Sequence, residues 1–60
     1  MDKKIAVLLI AIAGTLHELQ VSTGMTPPDW LEALANGNPE NIESVIEVVI
    51  EEIEMEGKNE

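Results

Sequence analysis

The sequence predicts an all-α fold: a small three-helix module, long-short-long, completed as a homodimeric helical bundle. Three observations predict it. Apolar residues recur at spacings of three and four through two long stretches, which is the helical period. Proline, glycine and asparagine clusters divide the chain into three segments. The first stretch is apolar around its whole circumference, so it asks for cover on every side. All 60 residues are read as one domain, with helices at about 3–22, 27–36 and 39–56 and a frayed tail at 57–60.

The first helix starts beside Asp2 or Lys3 and ends before Gly24, a glycine placed to cap it. Its first turn is poorly charged, because Lys3 and Lys4 oppose the positive end of the helix dipole. The competing reading makes residues 5–13 a buried strand, with Gly14 a turn and Thr15 to Glu18 a capping box. A lone strand has no pairing partner in this chain, so the helix is preferred. At 3.6 residues per turn, Ile5, Leu8, Leu9, Ile12, Leu16 and Leu19 form a stripe of large side chains. Val7, Ile10, Ala11, Gly14 and Val21 form a second stripe, flanked by Ala6 and Ala13.

The simplest arrangement places the large stripe in the core of one chain. The small-residue stripe then packs on a second copy across a two-fold axis, with Val7, Ile10, Ala11, Gly14, His17 and Val21 as the self-association interface. His17, the sole imidazole, is read mainly as a partly exposed or hydrogen-bonded histidine, with contact to its own copy and a pH-sensitive assembly kept as the alternative.

The second helix opens at Thr26-Pro27-Pro28-Asp29, with a hydroxyl cap, a first-turn proline and an early carboxylate. Because Pro28 disfavours helical geometry at Pro27, a start one residue later is also compatible. Trp30, Leu31 and Leu34 supply its apolar side, and Asn36-Gly37 ends it. Trp30 is read mainly as a lid on the core, with a role as an exposed anchor for a partner kept as the alternative.

Asn38-Pro39-Glu40 restarts the chain as cap, proline and acid, giving a tight corner. The third helix buries Ile42, Val45, Ile46, Val49 and Ile53. Its other edge carries Glu40, Glu43, Glu47, Glu51 and Glu54, with only Glu54 and Lys58 spaced for a favourable pair.

Composition narrows the function. The formal net charge is −9, from 12 acidic and 3 basic residues. Neutralising phosphates requires Lys and Arg, so direct nucleic-acid binding is not expected, and anionic membrane surfaces are disfavoured. A basic protein partner suits the acidic stripe, as does plain solubility. With no cysteine, disulfides, thiolate metal sites and cysteine catalysis are all excluded. A domain of this size buries only about 60% of its unfolded surface, so oligomerisation is the available reinforcement.

No catalytic constellation is present: His17-Glu18 lacks a second histidine, and the serines have no triad company. The expectation is a non-enzymatic interaction and oligomerisation module, cytoplasmic and without cofactor, acting as an adaptor or inhibitor that shows its Glu-rich edge to a basic protein. Two alternatives stand beside it. One is a membrane-associated or exported protein inserting through residues 5–13, weighed against because residues 5–16 fall short of the roughly 20 apolar residues a span needs. The other is a weak cation binder using Glu43 with Glu47, or Glu47 with Glu51.

Overall fold

A computed structural model describes residues 1–58, and among them three helices and no strand. Helix α1 spans Lys3–Ser22, α2 spans Asp29–Ala35 and α3 spans Ile42–Lys58.

Both ends of α1 are closed by chemistry visible in the sequence. Asp2 is the N-cap, its side-chain oxygen accepting the Lys4 backbone N–H at 2.8 Å. That carboxylate also offsets the two lysines at the positive end of the dipole. At the other end Gly24 takes φ +81°. The Met25 N–H then reaches the Gln20 carbonyl and the Gly24 N–H reaches Val21. This is the paired closure of a Schellman motif, which a left-handed glycine allows without strain. Residues 5–13 are helical throughout, so the strand alternative falls.

The two later helices start late. Helix α2 begins at Asp29, after an extended Pro28 (φ −66°, ψ 153°) that acts as N-cap with no side-chain cap hydrogen bond. Thr26 is therefore not the cap, and the two prolines hold the chain extended for longer than the expected start at 27. Helix α3 begins at Ile42 rather than 39. Asn38-Pro39-Glu40-Asn41 closes a turn, with the Asn41 N–H donating to the Asn38 carbonyl. Proline at the second position and asparagine at the first are what such a turn favours. The helix also passes through Gly57, expected to end it, and reaches Lys58. Residues 59 and 60 of the expected frayed tail, and the side-chain pairing of Glu54 with Lys58, lie outside the described residues.

Short α2 packs on both long helices. The buried residues are Ala6, Ala13, Leu31, Leu34, Ile42 and Val49. Ala6 and Ala13 are seven apart on α1, and Ile42 and Val49 seven apart on α3, so each pair recurs on one face two turns on. Leu9, Ile10, Trp30, Ala35, Val45 and Ile46 pack around them.

The inward face of α1 is thus that of Ala6 and Ala13, with Leu9 and Ile10 packed beside them, and most of the large stripe expected inside lies outside. Alanines let α1 approach α2 closely, and the large residues are left outside. Ile5, Leu8, Ile12, Leu16 and Leu19 are all exposed, Leu8 at 60%.

The result is thin. The Cα extents are 34 × 29 × 12 Å and the radius of gyration is 12.1 Å, against about 10 Å for a compact chain of this length. The accessible surface is 4553 Å², where a compact monomer of this mass would show about 3,800 Å². Helices spread in a single layer leave one apolar side without the second layer on which domains ordinarily close.

Candidate interaction surfaces

The larger surface lies along α1. Its exposed stripe runs Ile5, Leu8, Ile12, Leu16, Leu19, at steps of three, four, four and three. Two shallow grooves meet at Ala11, one running toward Leu19 past Ile12 and Leu16, the other toward Lys3 and Lys4 past Val7 and Leu8. Ala11 is the low point between them, small and exposed. No polar side chain is buried among the described residues, so nothing ionisable lines a closed cavity. This surface is mainly apolar, with Asp2, Lys3 and Lys4 at one end and Thr15 at its side.

The six residues expected at a self-association interface do not share one open face. Val7, Ala11 and Val21 are exposed, whereas Ile10, Gly14 and His17 are half-buried. Ile10 packs against the core cluster, and His17 sits one turn after buried Ala13 on the inward side. A half-buried His17 fits its reading as a partly exposed histidine better than that of a contact between copies. Gly14 has open space where a Cβ would stand. Nothing within the chain requires glycine there.

The second surface is the acidic edge of α3. Glu43, Glu47, Glu51 and Glu54 are exposed along the side away from Ile42 and Val49. Glu40 is exposed too but sits in the turn before the helix, its N–H donating to the Asn38 side chain at 3.2 Å, so the helical stripe starts at Glu43. Glu43 is paired with the amino group of Met1, a cation that residue counting overlooks. Among the described residues no three His, Asp or Glu side chains converge as a metal would require. The carboxylates of the cation-binding alternative therefore remain pairs along a helix edge. Trp30 is half-buried against the core cluster, which favours its reading as a lid over that of an anchor.

The outward stripe of α1 is the surface that sequence reasoning misplaced. The signal was Ala6 with Ala13, two small residues on one face two turns apart, where a neighbouring helix can come close. Hydrophobic weight pointed to the large stripe instead. The membrane argument shifts with it. At 20 residues and about 30 Å, α1 is long and apolar enough to cross a bilayer, and only 11% of that apolar span is buried inside the fold. The shortness inferred from residues 5–16 is overturned by the full length of the helix.

No family model matches this sequence, and comparison with curated proteins and with solved structures gives no match.

Proposed function

We propose that this chain is a non-enzymatic interaction module with two working surfaces: an apolar face on α1 through which copies assemble, and a Glu-bearing edge on α3 that docks a basic protein. One observation carries the reading. Among the described residues thirteen large apolar side chains are exposed while six hydrophobic residues are buried, two of them alanines. Seven of the thirteen lie on α1, and exposed apolar patches of this kind mark binding surfaces. The acidic edge supports the second half of the reading, because it lies on a different helix and stays open when α1 is covered.

Two measurements test it. Light scattering in dilute buffer is expected to give twice the 6.5 kDa chain mass; the chain mass itself would remove self-assembly. For the acidic edge, the double variant Glu47→Lys, Glu51→Lys is compared with Glu32→Lys, Glu56→Lys, which changes the net charge equally and leaves α1 untouched. Binding to a Lys/Arg-rich peptide is expected to fall at least tenfold more in the first variant. Equal losses would reduce the edge to bulk charge.

A second reading has its own observation, the length and exposure of α1. Under it α1 inserts into a bilayer, with Lys3 and Lys4 at the cytoplasmic side as positive charge favours. His17, Glu18 and Gln20 in its last turns weigh against this, since each is costly at membrane depth. Flotation with neutral phosphatidylcholine vesicles separates the readings: the module stays at the bottom of the gradient.

A further inference from the structure

Resting on the self-assembly reading above, we infer that the partner covering α1 is a second copy of this chain, docked antiparallel with its two-fold axis passing at Ile12. Three observations converge on this geometry.

The first is spacing. The exposed stripe Ile5, Leu8, Ile12, Leu16, Leu19 reads the same from either end, so reversing the helix about Ile12 sets Ile5 opposite Leu19 and Leu8 opposite Leu16. Apolar knobs then meet apolar positions along the whole helix, which is the self-complementarity an isologous two-fold contact demands. The two grooves that meet at Ala11 lie along this stripe, one beside Leu8 and the other beside Ile12, Leu16 and Leu19. Each receives the other half of the partner helix, and Ala11 lets the axes approach.

The second is charge. Lys3 and Lys4 stand at one end of α1 and Glu18, also exposed, near the other. Lys4 and Glu18 lie eight and six residues from Ile12, so the antiparallel arrangement brings Lys4 of one copy within about 3 Å of helical rise of Glu18 of the next, within reach of the two side chains, twice. A parallel pair would instead set lysines against lysines and align the two helix dipoles.

The third is area. The 4553 Å² of accessible surface exceeds that of a compact monomer of this mass by about 700 Å². A standard interface takes about 800 Å² from each partner. One copy of the chain supplies a cover of the right size and the right apolar character.

The chain has no cysteine, so single cysteines report the geometry directly. Ile12→Cys, next to the axis, is expected to convert mostly to a disulfide-linked dimer on mild oxidation. Ile5→Cys mixed with Leu19→Cys is expected to give the heterodimer in at least tenfold excess over either homodimer. Ser44→Cys, on the outer side of α3, serves as the control that does not link. Ile12→Lys, with helicity followed by circular dichroism, is expected to keep its helix signal and fall to the chain mass.

A dimeric mass in which Ile5→Cys links to itself, or in which none of the α1 cysteines links, would overturn the antiparallel α1 contact while leaving self-assembly standing. A helical particle of chain mass would overturn both. A chain that is monomeric in buffer yet floats with phosphatidylcholine vesicles would overturn both in favour of a lipid cover.

Discussion

Three glycines do three different jobs, and substituting each by alanine separates them. Gly24 holds φ +81°, where a Cβ meets the following carbonyl, so Gly24→Ala is expected to cost about 1–2 kcal/mol. Gly37 is a matter of space: a Cβ there would stand 3.0 Å from Ile42 Cδ1 and 3.4 Å from the Leu34 carbonyl oxygen. Because Ile42 is fully buried, it has little room to yield, and Gly37→Ala is expected to cost about 1–3 kcal/mol through overpacking.

Gly14 has open space around it and ordinary helical φ, so Gly14→Ala should stabilise the fold by about 0.5–1 kcal/mol through propensity alone. Thermal melts of the three variants check these signs. Gly14→Ala also discriminates between interfaces. It leaves the dimer mass unchanged if copies meet on the large stripe, and weakens association if they meet closely on the small-residue face.

At the scale of elements, α1 was fully legible, from Lys3 to the cap at Gly24, because Asp2 and Gly24 are strong local signals at both ends. The starts of α2 and α3 were not. In each case a proline that suits a helix's first turn suits an extended or turn conformation equally well. For α3 the tie is broken by side chains whose partners lie two and three residues away. Asn41 accepts the Asn38 N–H at 3.1 Å and Asn38 accepts the Glu40 N–H at 3.2 Å, so the two asparagines stabilise the turn that delays α3.

Asn38→Ala removes one of these bonds directly and is expected to cost about 1 kcal/mol, read by chemical denaturation. No loss would mean that Pro39 alone sets the corner. Which face of α1 turns inward was illegible for a different reason. Periodicity locates stripes on a helix, but the choice between a large stripe and an alanine stripe depends on how closely α2 approaches. That is a tertiary fact, set by how α2 docks on α1.

For the whole molecule the decisive property is thinness. A single helical layer 12 Å deep across the Cα atoms has too small a core to be stable by a wide margin. Domains carry roughly 0.05–0.15 kcal/mol per residue, a few kcal/mol for a chain this short, and among the described residues only Leu31 and Ile42 are large side chains fully buried. If a second copy completes the layer, folding and association are linked, and the melting temperature depends on concentration.

Each tenfold dilution removes about 1.4 kcal/mol from the dimer, about 0.7 per chain, which corresponds to a fall of roughly 3–6 °C in Tm. Salt acts on the same equilibrium. Each copy carries −9, so pairing brings like net charges together, and shortening the screening length from about 30 Å at 0.01 M to about 8 Å at 0.15 M relieves that repulsion. Tm should therefore rise with concentration at fixed salt and with salt at fixed concentration. A Tm independent of concentration over a hundredfold range would show that the layer is stable uncovered. In that case the apolar face of α1 contributes nothing to folding, and any value it has lies in binding something other than a copy of itself.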